Sequence, residues 1–127
     1  MRYLLDTCAF LWLTEGNTRL SATARSIIGD AANEGSISTV SLWELSMKAV
    51  TGELILPMTP SQLASHASAE GLDVLPLTAA HVDRFHRIST THRDPFDRLL
   101  AAIALELGMT FITPDSDLEV LGVNRIW

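Results

Sequence analysis

Asp94-Pro95-Phe96-Asp97-Arg98-Leu99-Leu100-Ala101-Ala102-Ile103-Ala104-Leu105-Glu106-Leu107-Gly108-Met109-Thr110-Phe111-Ile112-Thr113 decides the fold. Asp94-Pro95 opens the strongest helix of the chain. Asp94 is a capping residue, and Pro95 takes the first helical position, where its missing N–H is not needed. The helix runs to Leu107, and Gly108 stands just past its end. Thr110–Thr113 then reads as a strand. A long helix leading directly into an apolar strand is half of a βαβ unit.

Working outward, the same alternation recurs. Arg2–Asp6 reads as a short apolar strand. A helix follows over Thr7 to Glu15, apolar nearly all round, and Gly16-Asn17 breaks it. Ser21 caps a helix reaching about Asn33, which Gly35 ends. Ile37–Val40 reads as a second strand, and Ser41 caps a helix through about Val50, stopped by Thr51-Gly52. Leu54–Leu56 is a short extended link, and Pro57 and Pro60 bracket a turn. Gln62–Ala69 is a weak helix ended by Gly71. Leu72–Leu77 reads as a third strand, Thr78 caps a helix to about Ile88, and Val123–Trp127 is a fifth strand. Strands alternating with helices imply an α/β fold with a mostly parallel central sheet and right-handed crossovers.

The chain has 127 residues, 47% hydrophobic and 19% charged. That suits one globular domain over 1–127 and excludes a disordered polar chain. No run of 18 apolar residues occurs, so no membrane span is expected. Asp6 interrupts the apolar start, so no signal peptide is expected either. The single cysteine, Cys8, allows neither an intrachain disulfide nor a cysteine-based zinc site, which points to a reduced, cytoplasmic protein. Fifteen acidic and nine basic residues give a net charge of −6. That disfavours ordinary basic nucleic-acid binding. It permits contact with a polyanion if the negative charge is gathered where cations sit.

Four acids fall beyond the carboxyl ends of the expected strands, where open α/β sheets bind ligands. Asp6 ends the first strand. Glu44 lies in the first turn of the helix after the second. Asp97 lies in the first turn of the long helix, and Asp115 follows Thr113. Each also has a structural reading. Ser41-Leu42-Trp43-Glu44 fits a capping box, Asp97 favours the helix dipole, Asp6 is a good N-cap, and Asp115 suits a turn. Taken together, four carboxylates at one sheet edge would repel unless cations belong among them. Hard oxygen ligands without clustered His or Cys indicate Mg²⁺ or Mn²⁺, one or two ions. The chemistry that follows is metal-assisted hydrolysis of a phosphodiester.

The sequence resembles the PIN-domain family, and within it the VapC-type ribonuclease toxins of toxin–antitoxin systems. The resemblance rests on Leu4-Leu5-Asp6-Thr7, Ser41-Leu42-Trp43-Glu44-Leu45 with Lys48, His92-Arg93-Asp94-Pro95-Phe96-Asp97-Arg98-Leu99-Leu100-Ala101, and Ile112-Thr113-Pro114-Asp115. It implies a three-layer α/β/α sandwich, a Mg²⁺- or Mn²⁺-dependent endoribonuclease acting on RNA, a homodimer and a cognate antitoxin. Carried over by position, Asp6, Glu44, Asp97 and Asp115 match the family's acidic quartet, and Thr113 matches a hydroxyl that steadies the site. Asp117 competes with Asp115 for the fourth place, and Asp94 stands beside Asp97 as the cap.

Among the remaining residues, Lys48 is either an i,i+4 ion-pair partner of Glu44 or a phosphate contact. Arg98 serves either the surface or the substrate. His92 and Arg93 form a solvated loop or touch RNA. His66, His81 and His86 read as surface histidines. Trp12, Trp43 and Phe10 fill core or partner grooves, and Cys8 is an inert small hydrophobe. Two competing functions share these residues. One is a metal-dependent phosphatase of small phosphoesters. The other is a non-catalytic protein-binding module whose acids are helix caps.

Overall fold

The computed structural model describes residues 1–88 and 94–127. Its elements, in order, are β1 (Arg2–Leu5), α1 (Thr7–Glu15), α2 (Ala22–Gly29), β2 (Glu34–Ser38), α3 (Thr39–Val50), α4 (Pro60–Ala69), β3 (Asp73–Leu75), α5 (Ala79–Arg87), α6 (Pro95–Leu107) and β4 (Thr110–Ile112). A 3-10 helix (Ser116–Leu121) and β5 (Arg125–Ile126) complete the chain. The five strands form one sheet in the order β3-β2-β1-β4-β5, and all four pairings are parallel.

The strands are apolar on both faces because helices cover both. Along β1, Tyr3 and Leu5 join one hydrophobic cluster with Phe10, Leu45 and Leu63, while Leu4 joins another with Leu100, Ile103 and Leu118. Along β4, Ile112 and Phe111 divide in the same way. This period of two places α1 and α4 on one side and α6 on the other, the expected α/β/α sandwich. β1 lies in the middle, so its carboxyl end opens onto the middle of the sheet edge.

The long helix begins and ends as its sequence predicts. Asp94 Oδ1 accepts from the amides of Phe96 and Asp97, and Gly108 closes the helix at φ 65°, a left-handed conformation that favours glycine. The second strand differs from expectation. It begins at Glu34, three residues early, and ends at Ser38, two residues early, and α2 stops at Gly29 rather than near Asn33. The pairing Tyr3↔Gly35 explains the shift. Gly35 does not end a helix; it sits in the strand beneath the Tyr3 ring, where a Cβ would collide with that ring and with Leu72.

Ser38, not Ser41, therefore caps α3, its Oγ accepting from Val40 N at 3.1 Å. Pro60 is not a turn residue but opens α4, behind a Thr59–Gln62 capping box. β3 is shorter than read, and the 3-10 helix was not foreseen. His81 is buried rather than on the surface, and its Nδ1 accepts from Thr78 N at 3.2 Å in a second capping box. His86 is exposed. His92 and Arg93 lie outside the described residues.

The apolar first helix is not left bare. Phe10 is buried, Leu11, Trp12 and Leu13 pack partly buried against the core, and Trp12 meets Trp127 at 5.9 Å. The exposed apolar stripe lies instead on α3, where Trp43, Met47 and Val50 are 57%, 43% and 85% exposed.

Candidate metal centre

Asp6 stands where β1 hands over to α1. Its amide donates to Ile112 O at 3.0 Å, which ties it to the end of β4. Its carboxylate caps α1: Oδ1 accepts from Ala9 N at 2.7 Å, and Oδ2 accepts from Thr113 Oγ1 at 2.6 Å. The Cys8 thiol lies 3.3 and 3.4 Å from the two oxygens. Asp6 is only 4% exposed. Burial raises its pKa above the ordinary value; the hydrogen bonds from Thr113, Ala9 and Cys8 lower it in part, and the charge of Glu44 raises it further. Burial and the Asp6 charge also push the Cys8 thiol up, so it stays protonated.

Glu44 reaches the same place from α3. It lies in the second turn rather than the first, because the helix starts at Thr39. The expected Ser41–Glu44 capping box is therefore absent, and Glu44 is a buried acid pointing inward. Its Oε1 accepts from Thr7 Oγ1 at 2.6 Å, and its Oε2 meets Lys48 Nζ at 2.8 Å. Ser41 Oγ lies 3.0 Å from Thr7 Oγ1. Since Thr7 has a single hydroxyl proton and spends it on the carboxylate, Ser41 supplies the proton for this second contact. Burial lowers the Lys48 pKa, but the hydrogen bond and charge of Glu44, with Asp94 and Asp97, more than offset this and leave it raised.

Asp97 lies in the first turn of α6, one turn inside the Asp94 cap, and is half-buried. Asp115 follows β4 and caps the 3-10 helix, its Oδ1 accepting from Asp117 N at 3.0 Å, while its own amide donates to Thr113 Oγ1 at 3.2 Å. Thr113 thus links the first and last acids. Asp6, Glu44, Asp94, Asp97 and Asp115 all line one cavity of about 290 Å³, together with Thr7, Cys8 and Lys48. Asp117 is exposed and is not part of this lining. Arg98 is turned elsewhere, with its guanidinium 4.6 Å from the Phe85 ring centre.

Sequence reasoning placed the acids but missed Cys8, whose position two residues after Asp6 in the first turn of α1 was the available signal. The donors around the cavity are hard carboxylate oxygens, the type that Mg²⁺ and Mn²⁺ take. Asp6 adds a buried carboxylate whose donors among the described residues are the neutral Cys8 thiol, Ala9 amide and Thr113 hydroxyl. The residues present fit such an ion. Among the described residues, no three His, Cys, Asp or Glu side chains form a ready-made metal-binding group. Asp6 and Glu44 are held by their amide, hydroxyl and ammonium partners.

Residues 3–124 match the PIN domain family. No curated protein sequence matches the chain. Solved structures do. VapBC2 from Rickettsia felis, bound to a DNA fragment from its promoter, contains a chain 15% identical with TM-score 0.70, covering 99% of this chain and 98% of that one. VapBC-1 from nontypeable Haemophilus influenzae gives 18% identity and TM-score 0.68, covering 99% and 97%. FitAcB from Neisseria gonorrhoeae gives 19% and 0.66, covering 98% and 96%. At these identities the likeness is one of fold, and it spans whole chains. With the family match over nearly its full length, this chain belongs to the PIN domain family.

Proposed function

We propose that this protein is a Mg²⁺- or Mn²⁺-dependent endoribonuclease, the toxin of a toxin–antitoxin pair, working in the cytoplasm. The observation that carries the reading is the meeting of Asp6, Glu44, Asp97 and Asp115, from four separate segments, around one cavity at the carboxyl edge of the sheet. These four would hold the ion or ions. A divalent ion there would supply the positive charge that activates water and steadies the charge growing on the phosphate.

The chain's own groups do the rest. Thr113 and Ala9 orient Asp6, and Thr7 orients Glu44, so each carboxylate presents a fixed face. The N-terminal end of α6 directs its dipole towards the phosphate's charge. The cap-only reading accounts for Asp6, Asp94 and Asp115, which do cap helices, but not for Glu44, a buried acid that caps none. The phosphatase reading shares the acids and is separated by assay.

RNA should be cut with Mn²⁺ and left intact with EDTA, while nitrophenyl phosphate remains unhydrolysed. Asp6→Asn should lower RNA cleavage by roughly 10²-fold or more. Hydrolysis of the small ester alone would favour the phosphatase, and no activity on either would favour the binding module.

The partner reading is supported by two observations. Among the solved structures of similar fold are a toxin–antitoxin complex from Klebsiella pneumoniae and a member of the VapBC family of toxin–antitoxin systems from Mycobacterium tuberculosis, and the Trp43, Met47, Val50 stripe leaves apolar surface in water. A homodimer covering it should show twice the 13.9 kDa chain mass in light scattering; a monodisperse monomer at high concentration contradicts it. Among the described residues, no helix is long and apolar enough to cross a membrane.

A further inference from the structure

The acid cavity has two unlike ends. At the Asp6 end, the donors to the carboxylate are a hydroxyl, an amide and a thiol, all neutral. At the Glu44 end a cation is already present. Lys48 Nζ lies 2.8 Å from Glu44 Oε2, and its charge also reaches Asp94 and Asp97. Lys48 is the single cation among the described residues lining the cavity. Glu44 is held from the other side, its Oε1 2.6 Å from Thr7 Oγ1. The Glu44 side chain is 4% exposed and that of Lys48 40%, so the lysine stem enters from solvent and delivers its charge to a carboxylate that cannot turn away.

We propose that Lys48 is the built-in cation of the Glu44 end, so that the cavity accepts one divalent ion rather than two. This rests on the metal-dependent reading above. Paired ions in two-metal hydrolases stand ~3.5–4 Å apart. A second ion beside Glu44 would have to share that carboxylate with an ammonium tethered to the next turn of the same helix. Like charges this close, partly removed from water, repel strongly. The tether also keeps the ammonium at a local concentration that a free ion cannot match.

The test is a Mn²⁺ titration of the full chain, followed by calorimetry and by the electron paramagnetic resonance of free Mn²⁺. Wild type should bind one ion. Lys48→Met should bind two, the first roughly tenfold more tightly. Lys48→Arg, which keeps the charge, should bind one. Two ions in wild type, or one in Lys48→Met, would overturn the assignment of Lys48 while leaving the metal centre standing. No Mn²⁺ binding by any of the three would overturn the metal-dependent reading and this inference with it. Circular dichroism melts confirm that each variant is folded, and Lys48→Gln replaces Lys48→Met if that chain fails to fold.

Discussion

Burial sets the chemistry of Asp6. Loss of water raises its pKa, and the hydrogen bonds of Thr113, Ala9 and Cys8 recover only part of the shift. The folded chain therefore holds the Asp6 proton more tightly than the unfolded chain does. The resulting stability is fully present below the ordinary carboxylate pKa and is lost as pH rises through the raised value. Asn in its place still accepts from Ala9 N and carries no charge. Asp6→Asn should melt at the same temperature or higher than wild type at neutral pH without metal. The gap should close near pH 3, where both side chains are neutral. A large loss of stability at neutral pH would show that the carboxylate serves the fold rather than an ion. The identity of Asp6 as a candidate was legible because it follows an apolar run and precedes a helix. Its neighbour Cys8 was passed over, because a cysteine in an apolar helix reads as a small hydrophobe and only its place two residues after Asp6 hinted that its thiol faces the carboxylate.

At the scale of elements, legibility followed local signals. α1 and α6 have a capping acid at one end and a left-handed glycine at the other, and both were placed to within a residue. β2 lacked such a signal. Glu34-Gly35-Ser36 is polar and small, and it becomes strand only because β1 offers pairing partners and Tyr3 needs a residue without a Cβ beneath its ring. Ser38 and Ser41 are both acceptable caps in sequence, and only the strand register chooses between them. Ser38→Ala should therefore cost about 1 kcal/mol in urea denaturation through loss of the cap of α3. Ser41→Ala should leave the helix end intact and act instead through Thr7 and Glu44. Equal fraying of α3 in both variants, or fraying only with Ser41→Ala, would contradict the assignment.

Over the whole molecule, the parallel sheet does what no local pattern can. β1 at the centre places Asp6 in the middle of the carboxyl edge, and the order β2-β1-β4 brings the element after β2 and the turn after β4 to its two sides. Glu44 and Asp115 thereby arrive from opposite flanks, and α6 carries Asp97 to the same cavity. A net charge of −6 is in this way partly concentrated at one place instead of spread over the surface. The candidate acids could be named from sequence because each lies beyond a strand end. Their convergence, and the place of Asp115 rather than Asp117 in the cavity lining, emerge only when the strands are ordered, whereas the pairing of Lys48 with Glu44 was legible from helix spacing alone. The most direct measurement is a crystal grown with Mn²⁺ and measured at the manganese absorption edge. An anomalous peak inside the cavity lined by Asp6, Glu44, Asp97 and Asp115 is the predicted result. A map with Mn²⁺ bound elsewhere, or with this cavity unoccupied at millimolar Mn²⁺, would contradict the shared metal centre.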